Sequence, residues 1–150
     1  MTTKATTATE GFSEAERAAM KERAAELRAE GKKGAKKADG LQQVLDAFEK
    51  MTPEDRALAE RVHVTVTENA PHLQPKTWYG MPAYADQDGK VVVFFKNAGK
   101  FKERYSILGF ESAAQLDDGL MWPTAYALTA WSDQVAERVA DLVRAATSGA

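Results

Sequence analysis

The spacing of apolar side chains changes along this chain from a helical period before Lys76 to strand-like alternation after it. Residues 41–51 carry apolar side chains every three or four positions, which predicts a helix with one buried face: Leu41, Val44, Leu45 and Phe48. A second helix is predicted after Thr52, because Pro53 suits the first helical position. Its buried face holds Leu58, Val62 and Val66, and it should end before Pro71.

The amino-terminal region predicts a charged helix rather than a packed element. Ser13 and Glu16 form a capping box, and the helix should run to about Glu30. Its only large apolar anchors are Met20 and Leu27, so we expect a loosely docked arm. Glycines alternate with lysines over 31–40, which is typical of a flexible basic linker. We therefore divide the chain into an arm with tail and linker, 1–40, and a domain, 41–150.

Short strands are predicted after Lys76. Thr77 to Ala85 is interpreted as one strand interrupted by Pro82, and Asp88-Gly89 as a hairpin turn before the strand at 90–96. The next strand is expected at Phe101 to Leu108, with Phe101, Tyr105 and Ile107 on its buried side. Short connections make such a sheet antiparallel.

The carboxyl-terminal third predicts one more strand between two helices. Ser112 with Gln115 indicates a short helix, and Leu120 to Leu128 a return strand. A last helix after Ser132 should bury Val135, Val139, Leu142 and Val143. The predicted fold class is α+β: an antiparallel sheet packed against helices and preceded by a charged helix.

Composition excludes several classes of protein. The 150 residues contain no cysteine and two histidines, which excludes disulfides, thiolate nucleophiles and Cys-ligated metal centres. A net charge of −2 argues against a general nucleic-acid-binding protein. No apolar run predicts a membrane span, and the segment 1–11 does not resemble a signal peptide, so we expect a cytoplasmic protein.

No catalytic or nucleotide-binding motif is present. The sequence lacks a P-loop, G-x-G-x-x-G, G-x-S-x-G and H-E-x-x-H. The remaining enzymatic hypothesis uses Tyr79 or Tyr84 as proton donor and Asp117 or Asp118 as base, and we rank it lowest.

Aromatic residues cluster where the predicted strand is interrupted. Rings, a methionine and a proline on short strands are typical of a small-molecule pocket or partner groove, and more often of a hydrophobic core. The candidate ligand-binding residues are Trp78, Tyr79, Met81, Pro82, Tyr84 and Trp122.

The strings Trp78 to Tyr84, Leu116 to Gly119 and Met121 to Thr124 resemble the DUF1801 family, of the YdhG-like, frataxin-related superfamily. The resemblance covers about 41–146, and residues 12–21 are similar to a helical extension found in one bacterial branch of that family. It implies helices packed on an antiparallel sheet and, for some relatives, intracellular iron delivery.

Two functional hypotheses therefore lead. The first is a non-enzymatic binding or chaperone-like domain with an aromatic pocket, no required cofactor, and a small molecule or a protein as partner. The second, implied by the resemblance, is an iron chaperone of frataxin-like type. Its carboxylate ligands would be Asp117 and Asp118 or the group Glu54, Asp55 and Glu60, where Arg56 interrupts the acidic face. The oligomeric state stays open.

Overall fold

The order of elements places three helices before a five-stranded sheet and the longest remaining helix after it. The computed structural model describes residues 11–30 and 37–149. The tail and most of the predicted linker lie outside these residues. The elements, in chain order, are α1 Glu14–Glu30, α2 Lys37–Glu49, α3 Pro53–Asn69, β1 Gln74–Trp78, β2 Met81–Ala85, β3 Val91–Lys96, α4 Ala98–Phe101, β4 Ser106–Phe110, β5 Ala125–Leu128 and α5 Asp133–Ala146. The α+β prediction is confirmed.

The sheet is an antiparallel meander in which the strands lie in chain order from β1 to β5. Thr77 pairs with Pro82 and Trp78 with Met81, so the loop between β1 and β2 is only Tyr79-Gly80. Consecutive pairing through short loops confirms the antiparallel prediction.

The hydrophobic core joins the sheet to α2, α3 and α5. Its largest fully buried strand side chains are Tyr84, Phe95 and Leu108. The helices add Val44 and Phe48 from α2, Val62 and Val66 from α3, and Val139 and Val143 from α5. The helical periodicity of the sequence predicted these six side chains. Leu41 and Leu45, also expected on the buried face of α2, are instead 36% and 39% exposed.

Side-chain caps fix the starts of three helices as predicted. The Ser13 hydroxyl accepts from Glu16 N, and the Glu16 carboxylate accepts from Ser13 N. Thr52 accepts from Asp55 N, and Ser132 from Val135 N. Each cap pairs an amide that the helix leaves without an internal partner.

Several strand predictions are wrong. Thr77 to Ala85 is not one bent strand but parts of β1 and β2 joined by a two-residue turn. The strand expected at Phe101 to Leu108 begins only at Ser106, because Ala98–Phe101 forms α4. Its buried side is also reversed, with Ser106, Leu108 and Phe110 buried and Ile107 half-buried.

The segment between β4 and β5 also differs from its prediction. No helix forms at Ser112 to Gln115; the Gln115 amide instead donates to the Ala146 carbonyl at the end of α5. β5 covers only Ala125–Leu128, and from the segment before it the Thr124 carbonyl accepts from Phe110 N of β4. Tertiary pairing with α5 thus replaces the local helix that the capping pattern favoured.

Two features of the amino-terminal region differ from their predictions: where α2 begins, and which residue anchors α1. α2 begins at Lys37, and a Cβ on Gly40 would lie 2.1 Å from the Pro75 carbonyl oxygen. Gly40 therefore permits close packing of α2 on β1 rather than flexibility. In α1, the expected anchor Leu27 is 53% exposed, whereas Glu26 is only 7% exposed.

No helix within 11–30 or 37–149 is long and apolar enough to span a bilayer.

Candidate functional site

A cleft of about 560 Å³ lies where α1, α2, the β1–β2 turn and α4 meet. Most of its lining residues are polar, but apolar atoms form the larger part of its exposed surface. The residues that line it are Glu22, Ala25, Glu26, Ala29, Gln43, Asp46, Ala47, Lys50, Met51, Thr77, Gly80, Asn97 and Lys100. The volume falls in the range of small-molecule sites, roughly 300 to 1,000 Å³.

The β1–β2 turn presents two adjacent backbone amides to α1. Tyr79 and Gly80 both have positive φ, 54° and 76°, as a type I′ turn requires. The Glu26 carboxylate accepts from Tyr79 N at 2.9 Å and from Gly80 N at 2.8 Å. The positive φ favours glycine at position 80, and a Cβ there would also displace the side-chain ends of Lys100 and Glu22. A buried carboxylate thus satisfies both amides of the turn.

Ion pairs flank this contact. Lys100 pairs with Glu22, and Lys76 Nζ lies 3.1 Å from Glu30 Oε2. Arg23 pairs with Glu26 at 3.4 Å and lies over the Tyr79 ring, 5.8 Å from its centroid. The α1 side of the cleft is therefore held by directional polar contacts.

The α2 side of the cleft offers one exposed cation. Gln43 Oε1 accepts from the Thr77 hydroxyl at 3.2 Å, and Asp46 accepts from Gln42 Nε2 at 2.8 Å. Lys50 is exposed and lies within ion-pair distance of no carboxylate in the described part of the chain. Lys50 is consequently the cation at this cleft that can meet an anionic group.

Asn97 lies at the cleft wall just before α4. It is 3% exposed, and its Oδ1 has no hydrogen-bond partner, the only such buried side-chain atom among the described residues. The segment around it is well held: Gly99 N donates to Asp55 Oδ2 at 2.8 Å, and Ala98 N donates to Ser106 Oγ at 3.0 Å. A buried acceptor with no partner is uncommon and costs roughly 1 to 3 kcal/mol.

The structure does not gather the six sequence-predicted ligand-binding residues around one cavity. Trp78 and its pairing partner Met81 lie together, and the Trp78 ring contacts Tyr79 and Phe94 at centroid distances of 5.2 and 5.3 Å. Tyr84 lies three positions after Met81 in β2, on the opposite face of the sheet, and Pro82 is fully buried. Trp122 lines a separate groove of about 350 Å³.

Tyr84 has a partner inside the core. Its hydroxyl lies 2.8 Å from His63 Nδ1, and the two ring centroids are 5.7 Å apart. Burial raises the pKa of Tyr84 and lowers the pKa of His63 below 6.5. A neutral His63 with its proton on Nε2 accepts this hydrogen bond, so the Tyr84 hydroxyl is already used within the fold.

The carboxylates of the iron hypothesis lie apart from the cleft. Asp117 and Asp118 are exposed, and Asp117 lines the groove that contains Trp122. Asp55 bonds to Gly99, and Glu60 pairs with Arg56 at 3.0 Å. Within 11–30 and 37–149, no three His, Asp or Glu side chains converge to hold a metal ion. Iron binding stays a prediction from the resemblance.

Sequence reasoning missed the residues that shape the cleft. Asn97 is not among the predicted site residues, and nothing in one sequence indicates that its amide oxygen is buried. Glu22, Glu26 and Glu30 are spaced four apart, which does place them on one helix face, but Arg23 and Arg28 between them hide the pattern.

No family model, no curated protein and no solved structure matches this chain.

Proposed function

We propose that this chain is a non-enzymatic binding domain whose cleft takes a small zwitterionic metabolite of the amino-acid type. The binding role is the one expected from the sequence, and the DUF1801 resemblance stays part of that proposal. The ligand site moves from the aromatic cluster to the polar cleft between α1 and α2. The observation that carries the proposal is Asn97, a residue of the cleft lining whose buried Oδ1 has no hydrogen-bond partner.

An unpaired carbonyl oxygen favours a ligand that brings an N–H or O–H group. Asn97 Oδ1 can only accept, so an ammonium or hydroxyl donor would satisfy it. The surrounding backbone is fixed by Asp55 and Ser106, so relaxation of this segment does not readily bring another donor. Filling such an acceptor recovers a cost of about 1 to 3 kcal/mol that the unliganded protein carries.

The other lining groups suit the rest of a zwitterion. Lys50 offers a positive charge to a carboxylate, while Asp46 and Glu22 give negative potential near an ammonium. Ala25, Ala29, Ala47 and Met51 form an apolar patch against which a short side chain can pack. The charges at the cleft are of both signs, which favours a zwitterion over a simple anion.

A thermal-shift and calorimetry screen with the twenty amino acids and simple dipeptides tests this proposal. A ligand at a hundredfold excess over its Kd stabilises the folded chain by about 2.7 kcal/mol. We expect Asn97→Ala and Lys50→Ala each to abolish the shift, while Gln87→Ala and Lys90→Ala, both on the exposed β2–β3 turn, retain it. A shift that persists in Asn97→Ala, or a flat screen with the wild-type chain, would reject the zwitterion proposal.

A further inference from the structure

Three carboxylates of α1 contact the rest of the chain from one face of the helix. Glu22, Glu26 and Glu30 are spaced four residues apart, so they project on the same side. Glu22 pairs with Lys100, Glu26 accepts from the turn amides, and Glu30 pairs with Lys76. Each of the three carboxylates thus contacts a different part of the domain: α4, the β1–β2 turn or β1.

The surface beneath the stripe is built from donors of different kinds. We call it the α1 docking surface: the amides of Tyr79 and Gly80, the Tyr79 ring, and the ammonium groups of Lys76 and Lys100. The two amides are fixed by the positive-φ turn and point at one carboxylate. Such a pair of adjacent amides is an anion-binding feature of proteins generally.

Apolar contacts contribute little to the way α1 is held. Leu27 and Phe12 are 53% and 41% exposed, and the only buried residues of α1 are Ala19 and Glu26. An isolated helix of this length is marginal in water, so α1 depends on its polar contacts to stay ordered. Recognition at this surface therefore depends on the position of carboxylates rather than on a hydrophobic face.

We propose that the α1 docking surface binds acidic helices of other proteins that carry carboxylates four residues apart, and that α1 is its intramolecular occupant. The partner is a helical segment with the pattern Glu-Arg-x-x-Glu-x-x-x-Glu, as in Glu22 to Glu30. The central carboxylate of the partner accepts hydrogen bonds from the two turn amides, and its outer carboxylates pair with Lys100 and Lys76. Its arginine lies over the Tyr79 ring.

Because α1 already occupies the docking surface, an external partner has to displace it, which lowers the apparent affinity of that partner. A tethered segment acts at an effective concentration in the millimolar range, so a free helix with the same contacts competes poorly until α1 is released. The surface is therefore closed in the isolated chain and opens to a partner that binds more tightly than α1. This inference rests on the α1 contacts alone and does not depend on a ligand in the cleft.

The test uses a fluorescently labelled peptide of residues 11–30 and the full-length chain. In the chain carrying Glu22→Gln, Glu26→Gln and Glu30→Gln, the resident helix is weakened, and we expect the wild-type peptide to bind at least about tenfold more tightly than to the wild-type chain. Fluorescence anisotropy measures the affinity, and amide NMR shifts at Tyr79 and Gly80 locate the site. Equal, undetectable binding to both chains would overturn the proposal.

Two further variants separate helix recognition from general anion binding. A peptide with Glu26→Gln should bind about tenfold more weakly, because it loses a charge-assisted pair of hydrogen bonds. Lys100→Glu, added to the triple-variant chain, should abolish binding of the wild-type peptide, and Glu22→Lys in the peptide should restore it.

If the Glu26→Gln peptide binds as tightly as the wild-type peptide and millimolar inorganic phosphate displaces it, the surface is a simple anion site and helix recognition is refuted. No amino acid is present in these assays, so their failure leaves the cleft proposal untouched.

Discussion

The first and last helices of the chain are held to the same domain by opposite kinds of contact. α5 buries Val139, Val143 and Ala146 in the hydrophobic core. α1 buries a carboxylate, Glu26, and leaves its largest apolar side chain, Leu27, more than half exposed. One helix is held by area removed from water, the other by a few directional contacts.

This difference predicts that α5 opens only when the whole domain unfolds, whereas α1 opens locally. Apolar burial is non-directional and insensitive to salt, so α5 should unfold only with the whole domain. Contacts of α1 are few, partly exposed and ionic, so α1 should open locally at low free energy. The cleft lies against α1, so its shape depends on the helix that is easiest to release.

The largest expected effect is on the α5 side of the comparison. Val143→Ala removes apolar volume from a site that is 1% exposed and should lower the free energy of unfolding by about 2 kcal/mol. Urea unfolding followed by circular dichroism measures this loss, which should be the same at low and high salt. Val64→Ala, on the exposed face of α3, is the matched control and should cost less than about 0.5 kcal/mol. A small effect at Val143 would mean that α5 is not held by the core.

The next effect belongs to α1 and should be local. Glu26→Gln keeps an acceptor oxygen but loses the charge, and should lower the free energy of α1 opening by about 1 to 2 kcal/mol. Hydrogen exchange of the α1 amides measures this, while the global urea midpoint should hardly move. Glu14→Gln, exposed in the first turn of the same helix, is the control. Equal loss of protection in α1 and α5 would show that the two helices open together.

The same contrast explains how far the sequence predicts the fold. Apolar periodicity and caps predicted α3 and α5 well, because both patterns arise from contacts that the local sequence encodes. The Tyr79-Gly80 turn was missed because Gly80 and Pro82 also fit a bent strand, and tyrosine is an uncommon residue at positive φ. The helix expected at Ser112 does not form, because the Gln115 amide donates to the carbonyl of Ala146, which lies far along the chain.

The candidate site was harder to predict for a related reason. The aromatic string 78–84 is conspicuous in the sequence, but alternation along β2 sends Met81 and Tyr84 to opposite faces. Glu26 binds the distant Tyr79-Gly80 turn, and Asn97 lines a cleft that only the folded chain assembles. A polar residue that is buried by long-range packing leaves no periodic signal in one sequence.

Salt should affect the two helices differently, by a smaller amount than either substitution. The pairs Glu22–Lys100 and Glu30–Lys76 are partly exposed, and such pairs contribute roughly 0.2 to 1 kcal/mol each. Raising the ionic strength to about 1 M shortens the screening length to about 3 Å and should reduce α1 protection about two- to fivefold. Hydrogen exchange of α5 amides serves as the internal reference and should not respond. Salt-independent protection of α1 would point to apolar docking instead.

The smallest expected effect concerns the hydrogen-bonded pair His63 and Tyr84. Burial lowers the pKa of His63, so the folded chain binds its proton less readily than the unfolded chain does. This contribution to stability is complete above the unfolded pKa of about 6.5 and is lost as pH falls toward the lower folded pKa. The free energy of unfolding of the wild-type chain, measured with urea, should therefore fall as the pH drops below 6.5. That of His63→Gln should fall less over the same range. Thr65→Ala, two positions along α3, is the control and should keep the wild-type dependence of the free energy of unfolding on pH.

Because the interaction of His63 lies within the α3 and α5 side of the molecule, its loss should weaken the whole domain rather than α1 alone. A pH effect confined to α1 amides would place the titrating group elsewhere.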